Sequence, residues 1–271
     1  MLGVERGNVD ILLFALVVLA VLLYRRGGRV PWGHALILFA AVLKLFPIFA
    51  AGVLLRGSRR SLIGFGVVLG AFAIYCLAIL DELRVIWRVT PRPSEYAYGI
   101  RLFSEWLASH VLSLGATHLR VWDIDVVLLV LVPMFIVRRR LRLRAESHDA
   151  SARRDLDLFV AGAGVYVLTY VLFRSYEYRL AFLLLTVPQI LRWAHERRLL
   201  GAIPLVALLA TLWFDLRPGP SVFGFHSPLA LVAVAQLTLF AGLIGGLMAV
   251  AAGASRSEGG RKVTDGVGNS G

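Results

Sequence analysis

Apolar runs close to membrane length recur from one end of the chain to the other. A fold in water would have to hide every one of them, so the sequence predicts an all-α, polytopic membrane helix bundle. Candidate segments are Val9–Tyr24, Ala35–Leu55, Leu62–Leu80, Ile124–Val137, Leu158–Phe173, Arg179–Ala194, Leu199–Phe214 and Leu229–Ala251, which makes about seven to eight membrane segments. Several fall short of the roughly 20 residues that a straight span needs, and short segments suit a bundle around a wet cavity. Hydrophobic residues make up 58% of the chain, and the mean hydropathy is +0.75. The bundle is expected over 1–252, with the Gly/Ser-rich, charged stretch 253–271 as a disordered cytoplasmic tail.

The formal net charge is +12, almost all of it from Arg. The basic residues stand in short loops between apolar runs. That pattern fits a positive-inside bias facing anionic membrane lipid and argues against a nucleic-acid partner. "RRRLRLRAESHDASARR" (Arg138–Arg154) is the strongest cytoplasmic signal. Counting outward from it, "RGSRR" (Arg56–Arg60), "RWAHERR" (Arg192–Arg198) and the tail fall inside. The segment 81–122, the hinge "RSYEYR" (Arg174–Arg179) and "DLRPGPSVFGFHSP" (Asp215–Pro228) fall outside. Cys76 is the only cysteine, so no internal disulfide supports the fold. "RRGGR" rather than a small-residue cleavage site follows Asp10–Tyr24, so no cleavable signal peptide is expected.

The stretch "LILFAAVLKLFPIFAAGVLL" carries Lys44 near its middle and Pro47 one turn later. If Ala35–Leu55 is a kinked span, "RRGGR" (Arg25–Arg29) lies outside, against the charge bias. If the segment is re-entrant and breaks at "KLFP", both flanking basic loops are cytoplasmic, and Asn8 and Asp10 lie on the outer side. We favour the re-entrant form. In either form Lys44 faces the interior, since an isolated Lys at a helix centre costs roughly 2.5–3.5 kcal/mol. In the outer segment 81–122, "IRLFSEWLASHVL" places Ile100, Phe103, Trp106, Leu107 and Val111 on one helical face. It reads equally as a helix lying in the membrane interface or as one packed on the outer end of the bundle.

Few residues carry chemistry. Lys44 follows Ala40 and Ala41 by one turn, which leaves room for an anion or a neighbouring helix. Arg174, Tyr176, Glu177, Tyr178 and Arg179 crowd a hinge between two apolar runs; guanidinium forks beside phenols suit a phosphate head group, and equally an interfacial belt. The D-x-D patterns "DID" (Asp123–Asp125) and "DLD" (Asp155–Asp157) fall on opposite predicted faces, which shows how cheaply the pattern arises. No zinc-type His pair, P-loop or Ser–His–Asp arrangement stands out, so no metal site or cofactor is expected.

Taken together, several stretches resemble a known family. "RGNVDILLFALVVLAVLL" and "AAVLKLFPIFAAGVLLRGSRRSLIGF" resemble consecutive segments of polyprenol-phosphate-mannose-dependent glycosyltransferases of the membrane C-type superfamily (GT-C). "YEYRLAFLLLTVPQILRW" is similar to a late span of related bacterial membrane glycosyltransferases. The resemblance covers under a third of the chain. It implies a GT-C-like carboxyl-terminal part in a bacterial plasma membrane and hexosyl or mannosyl transfer at the outer face. The donor would be a polyprenyl-phosphate-linked sugar and the acceptor a glycan or glycolipid. Asn8, Lys44, Arg174 and Arg179 would serve the donor. The family keeps its catalytic carboxylate in an earlier outer loop with no counterpart here. A missing amino-terminal half or partner subunit is therefore expected, and Asp10, Glu82 and Asp125 are the substitute candidates within the chain. A transporter or flippase-like protein and a non-catalytic scaffold are the competing expectations.

Overall fold

The computed structural model describes residues 9–24, 30–56, 59–89, 97–98, 150–172, 175–196, 198–215 and 234–251. They are helical apart from short connections and one two-residue ladder. The order is α1 (Asp10–Tyr24), α2 (Val30–Leu43), a first 3₁₀ helix (Phe46–Arg56), α3 (Arg59–Ala78), α4 (Leu80–Val89), β1 (Ala97–Tyr98), α5 (Ala150–Leu172), β2 (Ser175–Tyr176), a second 3₁₀ helix (Glu177–Thr186), α6 (Val187–Glu196) and α7 (Arg198–Asp215). α8 (Val234–Ala251) closes the described chain.

α1 buries Asp10, Leu13, Val17, Ala20 and Val21, the single stripe that a helical repeat produces. Its opposite face is not polar: Ile11, Leu12, Leu19 and Leu22 are exposed. Water would penalise that face, whereas hydrocarbon would not. α3 makes the same point more strongly. Its window Ser61–Ala78 is long and apolar enough to cross a membrane, yet only 11% of it is buried. Val234–Ala251 also meets that test, whereas Asp10–Tyr24, Pro31–Leu43, Phe46–Arg56 and Gly201–Leu212 are shorter apolar helices. Among the described residues, then, two helices have full membrane length, fewer than the seven to eight segments expected.

The segment around Lys44 is a hairpin. Pro31 sits in the first turn of α2, where its missing N–H costs nothing. Lys44 N donates the last helical bond to Ala40 O (3.1 Å), and Pro47 cannot continue the ladder. The chain bends at Lys44–Leu45 and returns as the first 3₁₀ helix. Tyr24, at the end of α1, shares a 2.8 Å hydrogen bond with Ser61 near the start of α3, and Ser61 Oγ donates to Leu54 O. A Cβ on Gly33 would lie 2.9 Å from Ala20 O. The ends that flank "RRGGR" and "RGSRR" therefore lie at one level, and Lys44 lies at the other. The hairpin's first limb is longer than expected: α2 begins at Val30, and its 14 residues extend about 21 Å.

α5 organises the rest. It begins at Ala150, eight residues before the expected Leu158 start, so "DLD" lies within a helix. Residues two apart on a helix point about 200° apart, and residues seven apart share a face. Gly164 meets the first 3₁₀ helix, where a Cβ would lie 2.7 Å from Phe49 O. Gly162 meets the second, where a Cβ would lie 2.6 Å from Phe182 O. Two 3₁₀ helices thus press backbone to backbone on opposite sides of one α-helix. α8 covers a further side: Phe240 stacks on Tyr170 (4.9 Å), and Tyr166 Oη donates to Gln236 O.

Several expected boundaries move. Arg179–Ala194 is a 3₁₀ helix followed by α6, and Leu199–Phe214 is α7, with Pro204 inside it. The segment 81–122, expected outside, opens within the amphipathic α4. The "IRLFSEWLASHVL" helix, Ile124–Val137 and the tail lie outside the described residues.

Candidate functional site

The lysine at the bend has a buried counter-ion. Lys44 Nζ donates to Asp10 Oδ2 at 2.7 Å. The Asp10 side chain is 3% exposed and the Lys44 side chain 30%. Asp10 stands in the first turn of α1, where the helix end favours a negative charge. Lys44 stands at the hairpin bend, brought level with Asp10 because α1 and α2 run antiparallel and have nearly equal lengths of 15 and 14 residues. One site thus unites a residue expected to bind the donor with one expected to serve as a base.

Three phenylalanines cluster, two of them close to the pair along the chain. Phe182 packs edge-to-face on Phe14 (5.7 Å), one turn from Asp10, and on Phe46 (5.4 Å), two residues from Lys44. Phe182 belongs to the second 3₁₀ helix, which opens with Glu177, Tyr178 and Arg179. From the α5 start to its middle, the contacts run from Arg192 to Phe182 on one side and from Arg56 to Phe49 on the other. The chain direction therefore brings the backbone of Glu177–Arg179 to the Lys44 end. β2 adds Tyr176 and pairs with β1 in an antiparallel ladder, Ala97 opposite Tyr176 and Tyr98 opposite Ser175. The hinge is thus a short strand running into a 3₁₀ helix and fastened to the segment 81–122 through β1. Glu82 is exposed in the first turn of α4. It stands seven residues beyond Tyr75, whose hydroxyl donates to Val42 O, and on the next helix. Asn8, Asp125 and Arg174 lie outside the described residues.

Sequence reasoning missed a second charged cluster at the opposite end. Arg56 Nε donates to Asp157 Oδ1 at 3.0 Å, and the Asp157 side chain is 0% exposed. Arg192 donates to Asp155 Oδ2 at 2.8 Å and to Ser151 Oγ at 3.1 Å. The two carboxylates of "DLD" point to opposite sides of α5, each to its own arginine, so they cannot grip one metal ion together. The signal was present: each broken apolar segment ends in an arginine, and the two acids open a helix. Their spacing of seven from Gly162 and Gly164 puts each arginine clamp on the face that its 3₁₀ helix already touches.

No protein-family model matches the chain, and no curated protein or solved structure matches it either.

Proposed function

We propose that this chain is a multi-pass plasma-membrane protein of about seven to eight segments that acts as a C-type glycosyltransferase. It transfers a hexosyl group, mannosyl by resemblance, from a polyprenyl-phosphate sugar to a glycan or glycolipid. The observation that carries this reading is the Asp10–Lys44 pair at a chain break, on the end of the bundle where "SYEYR" begins. A lipid-linked phosphate needs a cation within the membrane's depth and a polar mouth above it, and the meeting of Lys44 with the backbone of a polar hinge supports that reading. The clamp at Arg56 and Arg192 then faces the cytoplasm, in line with the charge bias.

Transfer from a polyprenyl-phosphate sugar, assayed in membranes with any missing subunit supplied, tests it. Arg179→Ala is expected to lower transfer about ten- to a hundredfold, the worth of one charge-assisted bond. Arg217→Ala, in another loop, should leave transfer near wild type. Equal behaviour of the two variants removes the hinge from the donor site.

A second reading has one observation in its favour. Two long 3₁₀ helices on opposite sides of one α-helix resemble the broken segments of transporters. Movement of a labelled lipid across vesicles without sugar transfer would favour it.

A further inference from the structure

We infer that Asp10 is a positioning residue that aims the Lys44 ammonium at a phosphate group and never touches the ligand itself. The inference rests on the donor-binding reading above and assigns roles within the same site. It replaces the expectation that Asp10 acts as a base.

Accessibility and aim carry it. The lysine is 30% exposed and the aspartate 3%, although their charged atoms are only 2.7 Å apart. A molecule arriving from the open side meets Nζ first. Asp10 Oδ2 is turned onto that ammonium, and the Asp10 side chain lies on the buried stripe of α1. An acceptor hydroxyl needs a base within about 2.6–3.2 Å, and a carboxylate that is buried and turned toward an ammonium does not offer that approach. Lys44, in contrast, needs a fixed partner. It sits on a bend between two helices, and its four-carbon stem is flexible with a point charge at the tip. A carboxylate on the rigid first turn of α1 gives that tip one position.

The chemistry recognised is a phosphate group, on a polyprenyl lipid or free in solution. A general field effect and a positioning effect predict opposite signs. Asp10→Asn removes a negative charge beside the site, so a field effect alone tightens anion binding. Loss of aim weakens it.

The test measures binding of polyprenyl phosphate, neutral polyprenol and inorganic phosphate to the full chain in nanodiscs. Wild type should bind polyprenyl phosphate and not polyprenol, and Lys44→Ala should lose that binding. Asp10→Asn should weaken it about tenfold, the effect of one charge-assisted bond, and should add nothing in the Lys44→Ala background. Asp81→Asn, at an exposed acid on α4, should match wild type. In the transfer assay Asp10→Asn should raise the donor KM and spare kcat, the reverse of losing a base. Should Asp10→Asn fail to accumulate, Asp10→Glu carries the test. It keeps the charge but shifts Nζ by one methylene, so positioning predicts weaker binding and a field effect predicts no change. Unchanged or tighter binding by Asp10→Asn, or equal binding of polyprenol, overturns the inference, as does a wild type that binds neither phosphate. A site that takes inorganic phosphate and rejects the lipid, with the same order of variants, keeps the role of Asp10 and sinks the donor reading.

Discussion

The two ends of the bundle use charge differently. At the Arg56 end two arginines each meet their own carboxylate on opposite faces of α5, and Asp157 is wholly buried. A guanidinium is a planar fork that loses little freedom when it binds, which suits a permanent clamp. At the Lys44 end a single flexible ammonium sits on a chain break with a more buried acid behind it. A charge can thus close a structure or be offered by it. The difference lies in which partner remains accessible and how stiff its stem is.

The largest effect is expected at the fully buried carboxylate. Asp157→Leu leaves Arg56, 18% exposed, without its acid. Breaking such a pair costs about 3–5 kcal/mol, enough to empty the membrane of folded protein, as fluorescence-detected size exclusion would show. Wild-type yield and thermal midpoint in that variant would mean that water or lipid satisfies Arg56 and that no clamp exists.

Gly164→Ala comes next. Its Cβ would meet a backbone carbonyl, which cannot swing aside, so a cost of about 1–3 kcal/mol is expected. Gly66→Ala on α3 is the comparison, since its Cβ would meet nothing within 4 Å, and it should be neutral or slightly stabilising. Thermal midpoints measured side by side decide whether the close approach of the 3₁₀ helix is real. Asp155→Asn should cost less, about 1 kcal/mol or below, because Arg192 is 31% exposed and keeps Ser151 within reach.

The smallest stability changes sharpen the contrast most. Replacing both members of a buried pair by apolar residues is often neutral. Arg56→Met with Asp157→Leu, and Lys44→Met with Asp10→Leu, should each fold close to wild type. Only the second should lose polyprenyl-phosphate binding in nanodiscs. Loss in both would make the two ends alike.

The sequence displayed the break at Lys44 because a proline leaves a mark that periodicity does not. Counting basic loops alone led to the hairpin, since charge bias records which loops share a side. The Asp10–Lys44 pair was out of reach: the partners lie 34 residues apart, and nothing in an apolar run states which turn faces which. The two 3₁₀ helices were equally hidden, because nearly uniform apolarity carries no 3.0 or 3.6 repeat. The arginine partners of "DLD" were hidden for a simpler reason. With the helix expected to start at Leu158, both acids fall outside the element that turns them to opposite faces.

The clamp also sets a clock on assembly. Lys44 follows its acid by 34 residues, so its partner is already made when it emerges. Arg56 precedes its acid by 101 residues. At about 5–20 residues per second, the ribosome leaves that arginine waiting about 5–20 s. Throughout that interval the Arg56–Asp157 pair cannot form, and the first 3₁₀ helix lacks the face of α5 that Gly164 opens to it. The Asp10–Lys44 pair can therefore form before α5 exists, and slowed synthesis between residues 56 and 157 is expected to lengthen the time during which the Phe46–Arg56 limb is open to proteolysis.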